Sequence, residues 1–237
     1  MTSFLAALRS SLGKKYVMGL TGLFLCLFLA IHLAGNFLLF VGPEAYNGYA
    51  HKLHANPALL LAAEIPLYLA IAVHLYLAFS TARSNVDARG PVGYQQKRTK
   101  IYNRIVGIQP EAIMFFTGAV VFIFMAIHIY DFKSRDETAY EPFQWAAMVL
   151  GNMTTKIIYV IGSLVLGVHV SHGFRSAFQS LGLNHPKYNK LIDRSSIAFA
   201  LIVALGFASF PILMWNAPNG QSPETSAPAA TDSRPTE

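Results

Sequence analysis

The sequence predicts an all-α integral membrane protein, a bundle of five transmembrane helices, on three observations. Only 13% of its 237 residues are charged while 54% are hydrophobic, whereas a soluble domain carries about a quarter charged residues. Five apolar stretches reach or approach the ~20 residues needed to cross hydrocarbon. Basic residues gather in alternate connections between those stretches, which is the topological bias of a multi-pass chain.

The first span is expected over residues 16–40, after Arg9, Lys14 and Lys15. That start resembles a signal peptide, but the apolar run continues without an A-x-A-like cleavage signal and reads as a retained span. The second covers 58–82, between Pro57 and Arg83, and the third covers 110–130, opening at Pro110. The fourth and fifth cover 156–178 and 195–215, with Pro218 just beyond. Residues 1–215 therefore form one transmembrane domain. Residues 216–237 are rich in Pro, Ala, Ser and Thr with few aliphatics and read as a disordered tail. No sequence repeat is read along the chain.

Charge sets the expected orientation. Arg9, Lys14 and Lys15 precede span one; Arg83, Arg89, Lys97, Arg98, Lys100 and Arg104 follow span two; Arg175, Lys187, Lys190 and Arg194 follow span four. The opposite connections hold Lys52 on one occasion, and Lys133, Arg135 and Lys156 on the other, where Asp131, Asp136, Glu137 and Glu141 offset them. The N-terminus is thus predicted to be cytoplasmic and the C-terminus outside. The net charge of +6 reads as this topological signal, with membrane lipid rather than nucleic acid as the partner. A single cysteine, Cys26, lies within an apolar stretch. It reads as a small buried hydrophobe, and its solitude excludes a disulfide framework or a Cys-ligated cluster within this chain.

Histidines carry the chemistry. Spans one to four hold His32, His74, His128, and His169 with His172; span five has none. One imidazole in hydrocarbon is most simply a helix–helix hydrogen bond, since it must face the bundle interior with a partner. Four spans each supplying one point instead to a cofactor site in a bundle core. His32 lies about 25 Å of helix rise beyond Lys15, and His128 lies three residues before Asp131, so both fall in the outer half. His74 and His169 lie nine and six residues before Arg83 and Arg175, in the inner half. Two pairs at two depths, His32 with His128 and His74 with His169, suit two stacked bis-histidine haems. A zinc site gathers its ligands at one depth, and a proton relay mixes histidine with several carboxylates. Each ligating ring is expected to bind iron through one nitrogen and to donate its other N–H to a backbone carbonyl.

His169 and His172 share roughly one helix face and compete for the fourth ligand position. His169 is favoured, with His172 near a haem propionate or at the interface. Gly19, Gly22, Gly118, Gly162 and Gly167 lie inside spans; they are either ordinary membrane packing or the approach of a flat body. Glu64 is the one carboxylate well inside a span. It reads either as a proton donor or acceptor beside a quinone, or as an interfacial residue whose charge suits its helix start. Pro66 frees a carbonyl in the preceding turn and is expected to kink the helix. Tyr46, Tyr49, Tyr140, Trp145 and Trp215 read as interfacial belt residues.

The ordered segments SSLGKKYVMGLTGL, HLAGNFLLFVGPEAYNGYA, His74 with its following ARSN, TGAVVFIFMAIH and HVSHGFRSAFQSLGLNH resemble the dihaem cytochrome b subunit of succinate dehydrogenase/fumarate reductase. This is the single-chain, five-helix membrane anchor of bacteria, and the likeness runs to about Trp215. It implies two b-type haems ligated by the histidines of helices one to four, the pair on helices two and four lying nearer the cytoplasm. It also implies flavoprotein and iron–sulfur partner subunits docked on the cytoplasmic loops, and a bacterial inner membrane. A quinone, usually menaquinone, would be the substrate, with Glu64 near a distal quinone site. The family spacing from the fourth-helix ligand to Gly182 supports His169. Under this reading the chain is the membrane subunit of an enzyme, and succinate chemistry happens on a partner, because no dicarboxylate, flavin or cluster motif is present here. Alternatives are the dihaem anchor of a hydrogenase or formate dehydrogenase, and a haem-free membrane transporter.

Overall fold

The computed structural model describes Ala6 and residues 10–89, 110–133 and 139–214. The expected tail, Trp215, Arg9, Lys97, Arg98, Lys100, Arg104, Arg135, Asp136 and Glu137 lie outside the described residues, as does the side chain of Arg89. Among the described residues every regular element is helical: α1 (Ser11–Asn36), α2 (Leu38–Val41), α3 (Pro43–His54), α4 (Pro57–Arg89), α5 (Pro110–Lys133), α6 (Pro142–Gly151), α7 (Met153–Ser180) and α8 (Pro186–Leu213). Five are long and apolar enough to cross a membrane: α1 with α2, then α4, α5, α7 and α8. Their outward faces carry large apolar side chains such as Leu27, Leu69, Phe116, Ile123 and Leu201. A belt of that kind is stable in hydrocarbon, where helices satisfy their own backbone. The chain is a multi-pass membrane protein.

Helix ends follow local chemistry rather than hydropathy. Ser10 accepts from the Gly13 N–H at 3.0 Å and starts α1 ahead of the expected residue 16. Asn152 caps α7 through the Thr154 and Thr155 N–H groups. His185 accepts from the Lys187 N–H, and Pro186 opens α8 nine residues before the expected 195. Between α7 and α8 the chain turns at Gly182, whose φ of +74° closes the turn with its N–H on the Gln179 carbonyl. Arg175 and Asp193, 2.8 Å apart, then tie the two helices together. The basic residues expected in a loop after span four therefore sit largely on helices. Helices α3 and α6 were not among the expected elements. They pack together at the end of the bundle opposite this turn, where the Phe143 N–H donates to Asn47 Oδ1 at 2.8 Å and His51 meets Glu141 at 3.0 Å.

Helix α1 packs on α4 and α7, and α7 packs in turn on α5 and α8. The order α4–α1–α7–α5 makes three sides of a quadrilateral. The fourth side, α4 against α5, is bridged near its two ends by the Phe79–Phe115 ring contact and by the Glu64–Lys133 ion pair. The pairs α1/α5 and α4/α7 are then diagonals, and neither is closely packed. Leu33, Leu39, Ala146, Leu150, Tyr159, Phe210 and Met214 form the core at the α3/α6 end, so α6 supplies part of it.

Gly167 sets the α7/α8 crossing. A Cβ there would stand 2.5 Å from the Ala204 Cβ and 3.1 Å from the Ala200 carbonyl oxygen, neither of which can swing away. Gly167→Ala is expected to force the helices apart at a cost of about 1–3 kcal/mol, read as a lower thermal transition in detergent. Gly173→Ala, whose added carbon meets nothing within 4 Å, should leave the transition unchanged or higher.

Candidate functional site

The diagonals carry the histidines. His32 on α1 and His128 on α5 face each other with ring centres 5.8 Å apart and planes crossing at 79°. Their surroundings are aromatic. Phe28 stacks on His32 at 5.2 Å and Phe207 lies at 5.7 Å; Phe132 and Tyr159 lie 5.1 and 5.8 Å from His128. The Tyr159 hydroxyl is directed away, donating to Asp131 Oδ2 at 2.9 Å. The Asn36 amide donates to the His32 carbonyl at 2.8 Å and lies 3.4 Å from both ring nitrogens, an approach over the ring rather than a bond to one atom.

On the other diagonal, His74 of α4 and His169 of α7 lie within electrostatic reach of one another. Each is held by the preceding long helix in the same way. His74 Nδ1 is 3.1 Å from the Thr21 hydroxyl, and His169 Nδ1 is 3.2 Å from the Thr117 hydroxyl. Each imidazole edge rests on the next residue, a glycine. A Cβ on Gly22 would lie 3.4 Å from His74 Cε1, and one on Gly118 would lie 3.2 Å from His169 Cε1. The two threonines also match in their own bonding, Thr21 to the Val17 and Met18 carbonyls and Thr117 to those of Ile113 and Met114. A hydroxyl has one proton. With that proton on a carbonyl, the oxygen is left to accept from the ring; Nδ1 would then carry the hydrogen and Nε2 the free lone pair. Beside the backbone carbonyl expected as acceptor, the structure places a side-chain hydroxyl at Nδ1 of each ring. His172 lies one turn beyond His169, within electrostatic reach of it.

Glu64 is not at a helix start. α4 begins at Pro57, with the Leu59 N–H on Asn56 Oδ1, and has no acidic residue in its first turn, which removes the dipole reading. The carboxylate instead meets Lys133 Nζ at 2.7 Å across the α4/α5 side. Helix α4 continues through Pro66. Among the expected belt residues, Trp145 does more than line an interface, since its Nε1–H donates to the Asp131 carbonyl at 2.8 Å. Tyr49 covers Gly35, where a Cβ would come 2.8 Å from its hydroxyl.

The donor sets are pairs. No cluster of three or more His, Cys, Asp or Glu side chains suited to a metal ion occurs among the described residues. Two imidazoles do not complete a tetrahedral zinc site, but they suit a metal whose remaining ligands come from its own macrocycle. The ring centres of His32 and His128, 5.8 Å apart, stand at the separation of aromatic neighbours. By donor type, the paired imidazoles His32 with His128, and His74 with His169, are side chains that could hold a haem.

Thr21, Thr117 and Lys133 were not singled out from sequence. A signal for the first two is present in it. Thr21, Gly22, Phe28, Ala30, Ile31 and His32 recur at one constant offset as Thr117, Gly118, Phe124, Ala126, Ile127 and His128. Leu69, Val73, His74 and Phe79 recur as Leu164, Val168, His169 and Phe174 at an offset one residue shorter. The chain therefore contains a repeat: α1 with α4 corresponds to α5 with α7.

Fold and side chains together define a helical multi-pass membrane protein with paired intramembrane histidines. Comparison with known protein families, curated proteins and solved structures finds no match to this chain.

Proposed function

We propose that this chain is the dihaem cytochrome b anchor of a complex of the succinate dehydrogenase/fumarate reductase type, relaying electrons between soluble partners and a membrane quinone. The observation that carries the reading is the placement of two histidine pairs on the two loosely packed diagonals of one bundle. His32 with His128, and His74 with His169, are the residues that would hold two haems, which would supply one-electron carriers at two depths in the membrane. The protein's own contribution is to aim Nε2 of His74 and His169 inward, to surround the His32–His128 pair with aromatic rings, and to exclude water from both. Glu64 stands beside the quinone and exchanges protons with it, and menaquinone is the expected quinone. Lys14, Lys15, Arg83, Arg175, Lys187, Lys190 and Arg194 mark the cytoplasmic side of a bacterial inner membrane, where the flavoprotein and iron–sulfur subunits dock. The N-terminus is then inside and the C-terminus outside. Succinate or fumarate turns over on the flavoprotein.

Purification of the complex from its native membrane tests this. A pyridine haemochrome assay should give two b-type haems per chain, both six-coordinate and low-spin, with covalent flavin and iron–sulfur centres in co-purifying subunits. One haem per chain, or a high-spin spectrum, would overturn the pairing. Nickel or molybdenum in the partners would move the chain to a hydrogenase or formate dehydrogenase anchor, and a preparation without haem absorbance would make it a transporter candidate.

A further inference from the structure

Thr21 and Thr117 occupy equivalent places in the repeat, and both act on the same pair of rings. Back-bonding to the carbonyls three and four residues earlier is ordinary for a threonine inside a membrane helix. A second contact to an imidazole Nδ1 on a neighbouring helix is not part of that habit, and here it occurs twice, at 3.1 and 3.2 Å, each beside a glycine that lets the ring lie close. His32 and His128 lack the device. Their ring neighbours are Phe28, Phe207, Phe124, Phe132, Tyr159 and the Asn36 amide.

We infer that Thr21 and Thr117 are positioning residues that fix the tautomer and direction of His74 and His169, and so tune the inner cofactor alone. The inference rests on the proposed haem ligation. An acceptor on Nδ1–H raises the basicity of the opposite nitrogen, which favours ferric over ferrous iron. Losing the hydroxyl should reverse that, and losing it on either helix should affect the same centre, because the two threonines serve opposite faces of one site.

Thr21→Val and Thr117→Val keep the side-chain shape and remove the acceptor; Thr21→Ser and Thr117→Ser keep the acceptor. Each would be made in the whole complex, with redox titration and low-temperature EPR of both ferric haems. The inner signal is identified as the one lost in His169→Ala. Each valine variant should move the inner midpoint positive, by about a tenfold change in the ferric-to-ferrous ratio, or about 59 mV for one electron. The outer haem should keep its midpoint and g values, and the serine variants should return to the wild-type value. An unchanged inner midpoint, a shifted outer one, or serine variants as perturbed as valine would overturn the inference. Should a valine variant lose the inner haem, the serine variant decides: native haem and midpoint support the role, and loss there too assigns the effect to packing. Absence of haem from the wild-type complex would sink the functional reading instead. The inference would then be read from the ¹⁵N shifts of His74 and His169 in the full chain, expected as the Nδ1–H form and losing that preference with valine.

Discussion

Replacing His169 with alanine is expected to remove the inner haem or leave it five-coordinate and high-spin, while His172→Ala keeps both haems. Ligation requires an imidazole at the depth of His74, facing the bundle interior. His74 lies about 13 Å of helix rise from the arginine that follows it, His169 about 9 Å and His172 under about 5 Å. The fold adds a lateral criterion. His169 Nδ1 meets Thr117 and its edge rests on Gly118, matching the way Thr21 and Gly22 hold His74. His172 has no counterpart in the repeat, where Leu77 stands at the equivalent place. Absorbance and EPR of the purified complex would show the difference, and His169→Ala should also weaken attachment of the soluble subunits. Reversed behaviour of the two variants would transfer the ligand role to His172 and leave the other three ligands untouched.

Quinone-linked turnover is expected to fall by about 10²–10⁴-fold in Glu64→Gln, the usual contribution of a positioned acid or base. Both haems should stay bound, and succinate oxidation with a soluble dye, which draws electrons before the membrane site, should persist. The ion pair with Lys133 at 2.7 Å, with the carboxylate side chain 27% exposed, allows a purely structural tie between α4 and α5. Lys133→Met separates the two roles. If Glu64 moves protons, Lys133→Met should retain far more quinone-linked turnover than Glu64→Gln. If the pair only joins helices, the two variants should be equally impaired, and dye-linked activity and thermal stability should fall with them.

Hydropathy located the membrane in this chain better than it located the helices. Apolar windows mark where hydrocarbon is, but a helix continues into water wherever caps and ion pairs sustain it. Hence α1 begins at Ser11 and α8 at Pro186, beyond the apolar stretches. Helices α3 and α6 escaped because neither is long enough to span, and α6 is apolar for a reason no window reveals: Ala146 and Leu150 are buried against the other helices. The repeat escaped because its matching residues are sparse among interchangeable aliphatics. It stands out only once Thr21 and Thr117 are seen making the same bond.

Residue order alone dictates the solvent of this protein, the number of long apolar helices, and the height of each histidine along its own helix. Length and composition dictate the first two, and a constant rise per residue dictates the third. That height already paired His32 with His128 and His74 with His169; the threonine beside each of His74 and His169, and the lysine that meets Glu64, were decided only by the packing of the helices. These depend on the rotation of each helix about its axis and on which neighbours it packs against. In hydrocarbon no polar face betrays that rotation, since lipid and protein interior are equally apolar. Contacts between small residues, such as Gly167 against Ala204, set it instead.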